Sequence, residues 1–169
     1  MELKELFAAM LGREAAVSRR ALERVPEERR DWKPHERSMP FGRLATLVAT
    51  MPSWIAMMID QDQLDLQPPG GPKYQPKQWT KSAELLQEHD EAVASALQAL
   101  RRTSDRHLMT PWQLLVAGRV VAEAPRQAMI ADTFTHLAHH RGQLSVYLRL
   151  NDVPVPSLYG PSADDESFA

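Results

Sequence analysis

The prolines of this chain constrain its fold more than any other feature of the sequence. There are thirteen in 169 residues, and they fall mainly in clusters that interrupt the chain. Proline lacks the backbone N–H that a helix interior needs, and its ring clashes with the preceding turn. The stretches between the clusters carry apolar residues at helical spacing. The prolines therefore divide the chain into four segments that we predict to be helices.

These four predicted helices have recognisable ends and one internal bend. Pro52 lies inside the second helix and crowds the carbonyl of Val48, so we expect a bend between these two residues. Thr80 or Ser82 is suited to cap the third helix. The predicted helices cover residues 3 to about 25, about 40 to 62, from the cap at 80 or 82 to about 102, and about 125 to 150.

Two long connections separate the predicted helices, at residues 63 to 79 and 103 to 124. The first is a loop by composition, whereas alternating and β-branched residues around Gly118 favour either a short hairpin or an irregular crossing. Without a convincing set of strands, we predict an all-α fold. It is an up-down four-helix bundle in a single domain, residues 1 to 169, with long loops covering one end and a frayed C-terminus.

Composition excludes several classes of function. The absence of cysteine removes disulfides, thiolate metal sites and a cysteine nucleophile. A formal net charge of -2 argues against a nucleic-acid partner. The N-terminus is charged and amphipathic, with no apolar stretch of membrane-spanning length. We therefore expect a cytoplasmic protein that binds neither nucleic acid nor membrane.

Three of the six histidines crowd into the stretch "FTHLAHHRGQLSVYLRLNDVPVPSLYG", as His136, His139 and His140. His136 and His140 are four residues apart, which places both imidazoles on one face of a helix, where they can reach a single metal ion. Two histidines do not complete a transition-metal site, so a third ligand must come from elsewhere. The alternative is a pair of partly exposed histidines without a metal.

The stretches "HLAHHRGQLSVYLR" and "NDVPVPSLYGPS", together with "DWKPHERSMPFGRLATLVATMPSW" and "PWQ", resemble the DinB family of four-helix-bundle proteins. The resemblance covers roughly residues 5 to 162 and implies the DinB type of bundle, often a homodimer. It also implies an interior site of three histidines that holds zinc or nickel, with two ligands matching His136 and His140. Members of known activity are metal-dependent transferases acting on low-molecular-weight thiols, or related isomerases and hydrolases, so a small-molecule substrate is expected.

One position departs from the family pattern. The family's first ligand is a histidine in a word such as "LATHVA", and this chain reads "LATLVA" with Leu47 at that place. Three outcomes stay open: a weak or vanished metal site, a site rebuilt with Asp132 or a loop residue, or a pocket for an apolar ligand. Asp132 lies two turns from His140, about 12 Å along the helix axis, which favours a role in orienting His136 over direct ligation.

Two residues beside the histidines are candidate substrate contacts. Arg141 could hold an anionic group, or it could pair with an acid on a neighbouring helix. Gln143 could bond a metal-bound water or a substrate, or be a buried amide satisfied by backbone. The resemblance implies a DinB-like metal-dependent enzyme, a thiol transferase or hydrolase, here with a degenerate site. The alternative is a non-catalytic small-molecule-binding or stress-related bundle that has lost its metal.

Overall fold

A computed structural model describes residues 2–71 and 79–167 of the chain. These residues form six α-helices, three short strands and one 3₁₀ turn, Glu27–Arg29. The helices are α1 Leu3–Leu22, α2 Phe41–Thr50, α3 Ser53–Asp60, α4 Ser82–Arg102, α5 Asp105–Leu108 and α6 Arg126–Leu150. The strands are β1 Gln63–Asp65, β2 Pro111–Val116 and β3 Arg119–Pro125.

The long helices pack as the periodicity predicts. α4 packs against α1, α2 and α3, and α6 also packs against these three helices. Their apolar faces form two clusters, one built around the fully buried residues Phe41 and Leu44 and the other around Leu11 and Ile130. Burial of these faces supplies the main favourable term in folding. The predicted extents of the four long helices are confirmed to within a few residues.

The predicted bend in the second helix is confirmed as a break between α2 and α3, whose axes differ by 49°. Pro52 cannot donate a backbone hydrogen bond, and the chain tightens there, with the N–H of Trp54 bonded to the carbonyl of Met51 at 3.0 Å. No single helix in the described ranges is long and apolar enough to cross a membrane, although α2 and α3 taken together meet that length and composition.

His89 of α4 is buried at this break. Its Nδ1 lies 3.3 Å from the carbonyl oxygen of Ala49 and its Nε2 lies 3.1 Å from that of Ala15. The ring thus connects α4 to α2 and α1, as expected for a structural histidine. A neutral imidazole carries one N–H and can donate to only one of these carbonyls. Burial lowers the pKa of His89, against the opposing effect of the two carbonyls.

We expect the depressed pKa of His89 to make the protein less stable in mild acid. As the pH is lowered below about 6.5, the unfolded chain takes up a proton on this residue before the folded chain does. The free energy of unfolding therefore decreases as the pH decreases. One such group changes the free energy of unfolding by at most about 1.4 kcal/mol per pH unit. Above the pKa of the residue in the unfolded chain it causes no change. Urea unfolding between about pH 5 and 8 measures this slope.

The control is His89→Gln, which keeps a donor but does not titrate. His136 and the other histidines remain in both proteins, so the difference between the two slopes isolates His89. A variant that folds and retains the full slope of the wild type would assign the acid sensitivity to other groups.

The predicted all-α fold is wrong, because the two long connections contribute a three-stranded mixed sheet. β2 lies in the centre, parallel to β1 and antiparallel to β3. The β2–β3 turn consists of Ala117 and Gly118, with φ of 51° and 76°, the left-handed pair that joins hairpin strands in a two-residue turn. The Asp65 carboxylate accepts hydrogen bonds from both turn amides, at 3.1 and 2.7 Å.

The hairpin around Gly118, one of the two alternatives that the sequence left open, is present, but local sequence signals do not predict the full sheet. The hairpin lacks the Asn-Gly or Asp-Gly turn that marks such structures in sequence, and β1 has only three residues, too few for a periodic pattern. The part of the first connection at residues 72 to 78 lies outside the described residues. The second connection does cover one end of the bundle, since Trp112 of β2 is buried in the Leu11 cluster.

Candidate functional site

His136 and His140, here called the histidine pair, converge on one face of α6. Their Nε2 atoms lie 2.9 Å apart, and their ring centroids are separated by 4.7 Å. His140 is 8% exposed, whereas His136 is at the exposed edge of the bundle with its ring 5.6 Å from that of Trp54 on α3. The two imidazoles therefore share one face of the helix, as the four-residue spacing predicts, and Trp54 brings the second helical segment against His136.

Gln143 is a second hydrogen-bond partner of the His140 ring. The amide Oε1 of Gln143 lies 2.8 Å from Nδ1 of His140. The Nε2 of His140 forms its hydrogen bond with the Nε2 of His136, and the tautomers of the two rings decide which nitrogen donates. Burial lowers the pKa of His136, and the neighbouring His140 and His139 lower it further. The lowered pKa favours the neutral form of the His136 ring, which is the form that binds a metal.

The histidine pair fits two positions of a transition-metal site. Imidazole nitrogens bind zinc at about 2.0–2.1 Å, so two of them in a tetrahedral or octahedral set lie about 2.9–3.4 Å apart. The observed separation of 2.9 Å falls at the lower end of this range. No third His, Asp or Glu in the described ranges completes a group that could hold the ion. The donor set is therefore two imidazoles, with further positions left to other ligands.

Leu47 lies at the level of the histidine pair. The helices run antiparallel, since the Tyr147 hydroxyl donates to the carbonyl of Met39 while the ring of Trp54 lies near that of His136. Leu47 is between these two contacts along the second segment, partly buried against the adjoining core cluster. A histidine at this position would start from the same level of the bundle as the two imidazoles. That leucine occupies the place of a third ligand stays a prediction.

The other sequence candidates are placed differently. Asp132 is exposed and does not form a three-ligand group with the histidine pair. His139 is also exposed, with its ring edge-on to His140 at 5.0 Å between centroids. Neither residue therefore replaces the missing ligand in this geometry, and orientation of His136 by Asp132 stays a prediction.

Arg141 is buried on the side of α6 that faces α1. Its guanidinium donates to the carboxylate of Glu14 at 2.5 Å and to the hydroxyl of Ser18 at 2.9 Å. It also lies over the ring of Tyr159, whose hydroxyl bonds both Arg141 and Glu14. This is the pairing with a neighbouring acid that the sequence left open. Sequence reasoning missed Glu14 and Tyr159, since nothing in their local pattern distinguishes them from solvated residues.

The fold and the histidine pair define a class of protein: a helical bundle with candidate metal-binding imidazoles on its last long helix. The model of the DinB superfamily matches residues 10–144, and the chain therefore belongs to this superfamily. The resemblance inferred from the quoted motifs is confirmed.

Solved structures agree in fold. A DinB-like protein from Bacillus cereus ATCC 10987 superposes with a TM-score of 0.68 at 17% identity, covering 92% of this chain and 97% of that one. A DinB-like protein from Bacillus subtilis gives a TM-score of 0.67 at 17% identity, covering 87% of this chain and 92% of that one. No curated protein sequence matches the chain significantly.

Proposed function

We propose that this protein is a metal-dependent enzyme of the DinB type whose site retains two of three imidazole ligands. His136 and His140 hold a divalent transition metal, zinc or nickel, more weakly than a complete set would. The ion supplies Lewis-acid activation of a small-molecule substrate, or of a bound water or thiol, for transfer or hydrolysis. A low-molecular-weight thiol is the first substrate class to test, because the family resemblance implies it.

The convergence of the two Nε2 atoms is the observation that carries this proposal. The two rings direct the same atom, Nε2, at each other across 2.9 Å, so a pair that shares a hydrogen bond without metal is also placed to share one ion. The Oε1 of Gln143 holds the opposite nitrogen of His140, which is the outer hydrogen bond that metal-binding histidines usually make. Both features concern this chain's own atoms and agree with a site for one ion.

The residues around the pair have separate tasks under this proposal. His140 is the buried ligand, and Gln143 on the same helix holds its ring. His136 is the exposed ligand, and a substrate reaches the ion from its side. Trp54 covers one side of that ring and limits access of water along α3. Leu47 contributes an apolar surface at the same level, which suits a substrate with an apolar portion.

We expect the tag-free protein to bind one zinc or nickel ion, and His136→Ala to weaken that binding by at least about tenfold. Removal of one of two imidazoles leaves the ion dependent on water for nearly all its coordination. Isothermal titration with each metal, after removal of bound metal by EDTA, measures the affinity directly.

The matched control is His139→Ala, which removes an exposed imidazole from the same helix without touching the convergent nitrogens. It should bind metal within about twofold of the wild type. Equal losses in both variants would indicate non-specific binding to surface histidines and contradict the proposal. A wild type that binds no metal would favour the alternative, a non-catalytic bundle for small molecules.

A further inference from the structure

Gln143 and His136 contact opposite nitrogens of the His140 ring. Gln143 lies one helical turn after His140 and is half-buried, with its Oε1 2.8 Å from Nδ1. On the far side of the ring, Nε2 lies 2.9 Å from the Nε2 of His136. A neutral imidazole carries a single proton, so the nitrogen that donates a hydrogen bond in one contact leaves the other nitrogen as an acceptor.

We propose that Gln143 is a positioning residue that holds His140 in the Nδ1–H tautomer and so makes Nε2 the metal-binding nitrogen. This inference rests on the proposed function and assigns Gln143 a role through His140, where the sequence predicted contact with substrate or bound water. The amide oxygen accepts the Nδ1 proton, which leaves the Nε2 lone pair directed at the site. A carbonyl or amide partner of this kind also fixes the rotation of the ring.

The two histidines consequently prepare for a metal in different ways. His140 already has its lone pair on Nε2, where it accepts the hydrogen bond from His136, and it is held in place within a buried environment. His136 uses its Nε2 proton in the hydrogen bond to His140 and must move that proton to Nδ1 before Nε2 can bind an ion. The exposed position of His136 allows solvent to deliver a proton to Nδ1 and to remove the one on Nε2, and the ring is neutral before and after this exchange.

The test compares the metal-free wild type with Gln143→Leu, which removes the acceptor at similar volume, and Gln143→Glu, which keeps it. Nitrogen-15 NMR of the imidazoles reads the tautomer of His140 without any metal, and titration with zinc reads the affinity. We expect the Nδ1–H tautomer in the wild type and in Gln143→Glu. In Gln143→Leu we expect a shift toward the Nε2–H tautomer and about 10- to 100-fold weaker zinc binding.

The outcomes separate this inference from the proposed function. An Nε2–H tautomer of His140 in the wild type would overturn it, as would a Gln143→Leu protein with the tautomer unchanged, whatever its affinity. If the wild type binds no zinc while the tautomer shifts in Gln143→Leu as expected, the proposed function fails and the positioning role of Gln143 stands.

Discussion

Leu47→His is expected to convert a weak two-imidazole site into a tight three-imidazole site. The contacts of Trp54 with His136 and of Tyr147 with Met39 lie on either side of Leu47 along the chain, so the new side chain starts at the level of the histidine pair. A third protein ligand completes the set that catalytic zinc generally uses. We expect the affinity for zinc to rise on the order of 100-fold or more, equivalent to about 3 kcal/mol. Competition with a chelating dye measures this gain.

The control for polarity is Leu47→Gln, which introduces a polar side chain of similar size but no imidazole. Both substitutions at this partly buried position should cost about 1–3 kcal/mol of stability without metal. Zinc should then raise the melting temperature of Leu47→His but not that of Leu47→Gln. The gain must also disappear in the double variant Leu47→His with His136→Ala. A folded Leu47→His protein with wild-type affinity would show that position 47 does not face the histidine pair.

Arg141→Met is expected to lower the free energy of unfolding by about 3–5 kcal/mol. The Arg141 side chain is 1% exposed and that of Glu14 is 18% exposed, so the substitution strands a largely buried carboxylate without its cation. It also removes the donor to the buried hydroxyl of Ser18 and the contact with Tyr159, through which the C-terminal segment is joined to α1. Urea unfolding measures the loss.

A matched control comes from the same helix. Arg149 pairs with Asp164 at 2.5 Å, but its side chain is 50% exposed, so Arg149→Met should cost no more than about 1 kcal/mol. Similar losses in the two variants would contradict a special role for the buried pair. A cycle with Glu14→Gln isolates the coupling between Arg141 and Glu14. An Arg141→Met protein with unchanged stability and impaired substrate binding would instead support the contact with an anionic substrate that the sequence suggested.

The main helices could be predicted because their determinants are local. Pro52 has no backbone N–H in any fold, and the bend between α2 and α3 follows because a helix needs that donor. Apolar residues recur along α4 at helical spacing, and the buried side of the helix includes Leu85, His89 and Leu100. What His89 does at the break depends on Ala15 and Ala49, which lie 74 and 40 residues away along the chain.

The sheet shows the opposite case. β1 acquires its conformation from pairing with β2, with Leu64 opposite Leu114. Three residues are too few to show the alternating pattern that predicts a strand. The hairpin turn uses Ala117 in a left-handed conformation that alanine rarely adopts by itself. The carboxylate of Asp65 holds the turn amides from a distant point in the sequence. A local reading of residues 103 to 124 therefore could not decide between a hairpin and an irregular crossing.

Some features of the candidate site also follow from the sequence alone, and others depend on the tertiary structure. The sequence by itself determined that His136 and His140 share a helical face and that Leu47 breaks the family's ligand word, because helical spacing and residue identity are properties of the chain. Only the tertiary structure decided that the two Nε2 atoms meet at 2.9 Å, that Gln143 holds the other nitrogen of His140, and that Arg141 turns away to bind Glu14. Side-chain direction depends on which neighbours leave room and which offer hydrogen-bond partners, and helices far apart in sequence supply most of those neighbours.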